Sequence, residues 1–453
     1  MNENTLNNEL ILSGSLNRGL FKLAIPAIVS LVSIMLFEII DLFWMGRLGA
    51  DAVAALGAAS FVVWTVKSLA NCVAAGINAL VARVAGSRNI DSVQLWSSQG
   101  MLLTSLFSVV ITIPLLLINH RIFALIGLAP DVARMAEEYT LITSLGIIFI
   151  YNGFTLDTIF RSLGNTFIPM IVILFALALN AVLDPLFIFG WLGFPKMGMP
   201  GGALATIISH TAGMVLLFLF LPKIRLRLVA NLQNFWRNSF EIFRIGIPIG
   251  VLGAVFSIIY LILSKNIAYF GTVPMAAITA GHRIESLPFF IAFGFSTAVS
   301  TFVGQNLGNR NAARAEKAVH LALLYAMLFM ATMSLLFIFQ GRFLLSIFVP
   351  DPAVIETGYR YLFAISMFEI FLAPEVILEG AFTGAGDTKP PFFISIPLTF
   401  IRIPLAYYFS ISLGFGVTAI WWVIGVSTLL KGITMIFWFQ LGRWKTREIG
   451  VVN

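Results

Sequence analysis

Residues 101 to 118 read "MLLTSLFSVVITIPLLLI". No charged side chain interrupts the run, and as a helix it covers close to the ~30 Å of hydrocarbon in a bilayer. A membrane β-strand would instead show segments of about ten residues that alternate apolar and polar. This stretch does not alternate, so it reads as a membrane-spanning helix.

Runs of the same kind recur along all 453 residues, of which 59% are hydrophobic and only 11% charged. Soluble domains carry about 25% charged residues, so a soluble globular chain is excluded. Spans are expected near 20–45, 53–80, 96–118, 138–160, 167–189 and 201–222, then near 245–268, 275–302, 317–340, 357–383, 391–412 and 417–440. The expected fold is an all-α integral membrane protein with twelve transmembrane helices in two pseudo-symmetric six-helix bundles. The expected organisation is an N-terminal segment over 1–19, a first lobe over 20–222, a linker over 223–244, a second lobe over 245–440 and a tail over 441–453. The linker carries the longest polar stretch, "PKIRLRLVANLQNFWRNSFEIFR".

Lys and Arg concentrate in that linker, in the tail and at alternate loops, which places both termini in the cytoplasm and the chain in the cell's inner membrane. The net charge of +7 does not point to nucleic acid, because the basic residues lie in short loops rather than in one basic domain. The single cysteine, Cys72, excludes an intramolecular disulfide framework. No cleavable leader is evident in the polar, mildly acidic start, so the first span is expected to serve as an uncleaved signal.

The two halves match at one offset. Adding 222 takes Pro26 to Pro248, Gly49 to Gly271, "GSRN" at 86–89 to "GNRN" at 308–311, and "FRSLGNTFIP" at 160–169 to "FTGAGDTKPP" at 382–391. Six spans per half is an even number, so both halves enter the membrane in the same direction. Such parallel repeats are related by an axis along the membrane normal, and a substrate path is expected between them. That is transporter architecture.

Acids inside these spans are costly, at about 2.5–3.5 kcal/mol each on insertion scales, and usually serve a pathway or a partner. "FEIIDLFWMG" at 37–46 places Glu38 and Asp41 in the first span, three residues apart. "LNAVLDPLF" at 179–187 places Asn180 and Asp184 four apart, on one helix face. Pro185 removes a backbone donor there, and a break in the fifth span is expected. Two aspartates clustered away from water can exchange a proton near neutral pH. The same oxygens, with the Asn180 carbonyl and Thr206 of "GGALAT", can instead form a hard-oxygen sodium site, and the sequence does not choose between the ions.

Other groups have plainer readings. Glu38 and His210 are candidates to line a cavity, with burial against a neighbouring helix as the alternative. Asp157 precedes Arg161 by four, the spacing of a helical ion pair, and its repeat equivalent is Glu379. Arg402 falls one repeat from Asn180, so a fixed positive charge stands where the first half has an amide. The expectation is that coupling is confined to the first half, and that Arg402 pairs with Glu285 or with a tenth-span glutamate. Pro26 lies about four turns before Asp41, placed to kink the first helix. The 42 Phe, 9 Trp and 9 Tyr mostly pack helices or face lipid, with some available to hold planar cations.

Four stretches together resemble the MATE (multidrug and toxic compound extrusion) family: "IDLFWMGRLG", "FGFSTAVSTFVGQNLGN", the "RSLGNT"/"GAGDT" pair and "GMPGGALAT". Asp41 with Asn180 and Asp184 is similar to the DinF-like branch, in its archaeal-type members. The resemblance implies a V-shaped exporter of amphipathic, cationic small molecules, driven by proton or sodium entry. It further implies that protonation of Asp41 bends the first helix at Pro26. The NorM branch carries a seventh-span glutamate eight residues after the proline of "GIPIG", where this chain has Phe256, so a NorM-type ion site in the second half is in doubt.

The expected function is therefore a secondary active multidrug exporter, a proton or sodium antiporter acting as a monomer among membrane lipids without an organic cofactor. A flippase for lipids or lipid-linked oligosaccharides is the alternative, kept open by Arg283 and Arg402. An enzyme is not expected: no H-E-x-x-H or Walker A motif occurs, and the four histidines at 120, 210, 282 and 320 are scattered.

Overall fold

Helix formation follows the apolar runs throughout the computed structural model, which describes residues 9–229 and 231–450. The first eight residues of the N-terminal segment, position 230 of the linker and the last three residues of the tail lie outside the described residues. In chain order the first half contains α1 (Leu16–Gly46), α2 (Ala50–Leu69), α3 (Asn71–Gly86), α4 (Ile90–Ile126), α5 (Pro130–Leu145), α6 (Ile147–Ser162), α7 (Phe167–Phe189) and α8 (Met199–Phe220). The second contains α9 (Phe235–Ala268), α10 (Thr272–Gly308), α11 (Ala312–Phe348), α12 (Pro352–Ser366), α13 (Leu372–Ala385), α14 (Lys389–Phe400), α15 (Arg402–Tyr407) and α16 (Val417–Gln440).

Among the described residues ten helices are long and apolar enough to cross a membrane, α2 and α3 counting as one, and the number rises to twelve when each of two bent pairs is one span. The bends are 54° between α5 and α6 and 52° between α12 and the stretch Glu369–Ala385. The apolar pattern over 138–160 and 357–383 shows no such breaks. Neither bend falls at a proline. The first is centred on Gly146, where an added Cβ would press against Ile207 of α8, so tertiary packing rather than local sequence selects it.

The repeat is visible in the element bounds. Adding 222 carries Ala50–Gly86 onto Thr272–Gly308 and Ile90–Ile126 onto Ala312–Phe348. The shared motifs have local causes. In "GSRN" and "GNRN" the asparagine caps the next helix: Asn89 Oδ1 accepts from the Ser92 amide at 2.9 Å and Asn311 Oδ1 from the Arg314 amide at 3.0 Å. In "RSLGNT" and "GAGDT" the glycines Gly164 and Gly386 sit at φ 80° and 73°, the left-handed conformation that a side chain disfavours. The last helices of the halves both start after a glycine, Gly198 or Gly416, so the offset there drops to 218 because the preceding loop is four residues shorter (222 − 218).

Contacts divide the chain into two compact units. One holds Val29–Ala254, and the other holds Leu10–Ile28 with Val255–Glu448. The divisions therefore fall inside α1, at Ile28/Val29 shortly after Pro26, and inside α9, at Ala254/Val255 beyond Pro248. Within the first unit, Val73, Ile77, Leu80, Trp96, Ile159 and Phe160 form the largest buried cluster. Glycines bring its helices close: Gly76 lies against the Ile242 carbonyl and Gly246 against the Cys72 carbonyl. Within the second unit, Gly380 and Gly384 of α13 meet the carbonyls of Ser296 and Ser300 on α10. Small residues at helix contacts are the usual packing device where lipid supplies no hydrophobic drive.

Candidate functional site

Asp41, Asn180, Asp184 and Thr206 come together in the first unit, from α1, α7 and α8. The four-residue spacing turns Asn180 and Asp184 to the same side of α7, where both are fully buried. Asn180 Nδ2 donates to Asp184 Oδ1 at 3.2 Å and lies 3.5 Å from Thr206 Oγ1. Thr206 Oγ1 donates in turn to Asp41 Oδ2 at 3.4 Å. The two carboxyls are close enough to interact electrostatically.

The "GMPGG" segment makes this meeting possible. A Cβ at Gly201 would fall 2.5 Å from the Phe187 carbonyl oxygen of α7, and one at Gly202 would collide with the Met45 side chain of α1. Two glycines at the start of α8 therefore let it approach both helices that carry the aspartates.

The donor count is unbalanced. Asp41 Oδ1, Asn180 Oδ1 and Asp184 Oδ2 are buried and accept no hydrogen bond from the described residues. Buried polar atoms are satisfied in the great majority of cases, and three orphaned acceptors in one cluster make a place for positive charge. A proton shared between the carboxyls, or a sodium ion held by carboxylate, amide and hydroxyl oxygens, meets that demand.

Two residues join the site that the sequence did not single out. Tyr139 of α5 is buried beside Thr206 and within electrostatic reach of both aspartates. Lys67 of α2 is within electrostatic reach of Asp41 and His210. Both look bland in sequence, but Tyr139 recurs as Tyr361 one repeat on (139 + 222), a signal that was available.

The remaining candidates lie outside this cluster. Glu38 is exposed and accepts from the Trp64 indole at 2.8 Å. His210 stacks on Phe37 with ring centroids 5.1 Å apart. Pro26 lies inside α1, which continues unbroken to Gly46. Asp157 and Arg161 form the expected pair at 2.7 Å.

Two expectations are corrected. α7 does not break at Pro185 but runs on to Phe189 and ends at Gly190. The proline denies one amide to the Ala181 carbonyl, and a single lost bond one turn from the end does not stop the helix. Arg402 pairs neither with Glu285 nor with a tenth-span glutamate. Its guanidinium donates to Ser427 Oγ at 2.5 Å, Tyr260 Oη at 2.9 Å, Thr428 Oγ1 at 3.1 Å and the Ile424 carbonyl at 3.4 Å. Two of those acids are engaged elsewhere: Tyr361 and His282 occupy Glu285, and Lys431 pairs with Glu375.

Comparison with known proteins adds a family match, two relatives and two solved structures. The MatE family model matches residues 26–186 and again 248–408, one repeat apart. A Thermotoga maritima protein named probable multidrug resistance protein NorM is 28% identical over 441 residues, covering 96% of this chain and 94% of that one. A Shewanella oneidensis protein named FAD transporter is 24% identical over 437 residues, covering 95% and 96%. Among solved structures, an outward-facing multidrug resistance MATE family transporter superposes with TM-score 0.89 at 22% identity, covering 97% of this chain and 98% of that one. A transporter from Pyrococcus furiosus, described as having a binding pocket of reversed polarity, gives 0.88 at 22% identity and 97% coverage of this chain.

Proposed function

The chain belongs to the MatE family, matched over both of its halves, and on that premise we propose that it exports amphipathic organic cations in exchange for a proton or sodium ion bound at Asp41 and Asp184. It is a multi-pass membrane transporter rather than an enzyme, and it extrudes small molecules as its multidrug resistance relatives are named for doing. The membrane is the cell's cytoplasmic membrane, with both termini on the cytoplasmic side.

The observation that carries the coupling reading is the set of three orphaned oxygens, Asp41 Oδ1, Asn180 Oδ1 and Asp184 Oδ2, on two different segments of the fold. Without a bound cation the cluster leaves one buried oxygen of each carboxyl without a donor. With one, α1 and α7 are drawn to a common charge, and Thr206 on α8 follows through its bond to Asp41. Ion entry thus acts on three helices at once. The lower free energy of the loaded cluster is the lever by which a gradient shifts the equilibrium between two conformations. Pro26 marks where α1 yields, because proline lacks the amide that would bridge the preceding turn. Glu38 and Trp64, exposed together, offer a carboxylate and an indole face to a planar cation.

Uptake of a fluorescent cation into everted vesicles under a pH gradient without sodium tests the reading, with wild type compared to Asp41→Asn. Uptake that is lost in the variant is the expected result. Uptake that survives removes Asp41 from coupling. Wild-type uptake that needs a sodium gradient moves the ion to sodium, and none under either gradient turns the argument to a lipid flippase.

A further inference from the structure

The repeat places a counterpart of every site residue in the second unit. Asp41 maps to Leu263 and Asp184 to Ala406 (each + 222), both fully buried among apolar groups. Asn180 maps to Arg402, and Thr206 to Ile424 at the offset of 218 that applies in the last helix. The correspondence is physical as well as numerical. Asn180 Nδ2 reaches Thr206, and Arg402 Nη2 reaches the carbonyl of Ile424, so equivalent positions touch in both units.

Both acids and the hydroxyl are therefore gone, and a guanidinium has arrived in the same place. Arg402 is 2% exposed, and no carboxylate contacts it at ion-pair distance among the described residues, Glu285 acting on it only from farther off. A buried cation introduced only for packing would be expected to carry an acid partner, since an uncompensated buried charge is strongly unfavourable. Here the shell consists of three hydroxyls and a carbonyl, from Tyr260, Ser427, Thr428 and Ile424. Neutral oxygens converging on one positive charge are the shell that a hard cation takes.

We propose that Arg402 is a tethered cation filling the second unit's counterpart of the acid site, so that this unit is permanently loaded and the transport cycle runs on the single mobile-ion site of the first. The proposal rests on the reading of Asp41 and Asp184 as that mobile-ion site. It assigns Arg402 the role of a positioning residue: it touches neither substrate nor the mobile ion, and it holds α15, α16 and α9 in the arrangement that an ion imposes on α7, α8 and α1.

A tethered cation can be replaced by a free one. Arg402→Ala, purified in lipid nanodiscs, is expected to melt about 5 °C or more below wild type. Added guanidinium chloride at about 5 mM should recover at least half of that shift, whereas sodium chloride at the same concentration should not. In vesicles the same variant should lose most of its uptake and regain it with guanidinium. Neither wild type nor Asp184→Asn should respond to the additive. An Arg402→Ala protein that keeps wild-type melting and uptake, or that folds and ignores guanidinium, overturns the proposal. If that variant does not fold, Arg402→Lys keeps the charge and Arg402→Gln removes it. Lysine is expected to retain at least half of the uptake and glutamine to lose about tenfold; equal activity of the two overturns the proposal. Gradient-driven uptake by Asp184→Asn would sink the acid-site reading instead, and the guanidinium response reports on Arg402 separately.

Discussion

The polar interiors of the two units differ in how their charges are satisfied. In the first, two aspartates and an amide leave three buried acceptors without donors. In the second, the cations are bound within the chain: Lys431 pairs with Glu375, and four oxygens surround Arg402. The first cluster has no cation in contact with its orphaned oxygens, whereas the second interior carries two cations of its own, with Glu369 Oε1 and Glu375 Oε2 still lacking a donor among the described residues. The Lys431–Glu375 pair has no trace in the first unit, where the matching positions are Gly213 (431 − 218) and Gly153 (375 − 222). The difference teaches that repeat symmetry preserves backbone path while the charge plan diverges.

The comparison breaks most visibly if the second unit tolerates loss of a charge. Lys431→Ala leaves Glu375 without its partner in a nearly dry place, since the two side chains are 3% and 12% exposed. Breaking one partner of a buried pair costs about 3–5 kcal/mol, whereas replacing both by apolar residues of similar volume is often neutral. Thermal melts in detergent should therefore show a large loss for Lys431→Ala and near recovery for Lys431→Leu with Glu375→Leu. An equal loss in the single and the double variant would assign the pair's importance to shape rather than charge.

Asp184→Asn probes the opposite unit, and its effect on stability should be smaller and of opposite sign. The substitution removes one of two facing carboxyls and supplies an amide donor to a cluster that has too few. Stability should rise by up to about 1 kcal/mol, because hydrogen bonds typically contribute that much. Ion-driven uptake should nevertheless be lost. Unfolding and vesicle transport measured on the same preparation separate the two effects. A variant that is both inactive and strongly destabilised would make Asp184 a packing residue.

The spans were legible because hydrocarbon admits few ways to satisfy a backbone, so apolar length alone marks a helix. The 222-residue repeat was legible for a similar reason: Gly164 and Gly386 meet the same backbone demand, and Asn89 and Asn311 the same capping demand. Asp41, Asn180, Asp184 and Thr206 stood out because acids and amides are costly in a bilayer. Breaks were not legible. Pro185 suggests one and makes none, whereas a bend occurs at Gly146, where Ile207 of another helix packs close. Partners chosen across the fold were equally hidden. The Glu38–Trp64 bond joins residues 26 apart, and Arg402 is held by neutral hydroxyls 25, 26 and 142 residues away where an acid was expected.

The smallest effect is expected at a corner outside the spans. Between the shared glycine and threonine of "RSLGNT" and "GAGDT" stands Asn165 in one and Asp387 in the other (165 + 222). Asn165 Oδ1 accepts from the Ile168 amide at 3.1 Å, but the residue matching Ile168 is Pro390, which has no amide to give. Asp387 therefore lost its donor while remaining half-buried. Burial pushes its carboxyl above the ordinary value of 3.8, with Arg447 and Lys389 opposing the shift. The folded state thus holds this proton more tightly than the unfolded chain does. Its contribution to stability is fully present below about pH 4 and is lost as pH rises through the raised value. Replacing the charge by the first unit's amide, Asp387→Asn, should raise the melting temperature at pH 7 by about 0.3–0.5 °C, a few tenths of a kcal/mol for a chain this size. At pH values below the unfolded carboxyl's own titration the gain should vanish, because the wild-type group is then neutral in both states. A gain that persists in acid would mean that the amide's own bonding, rather than the removed charge, separates the two corners.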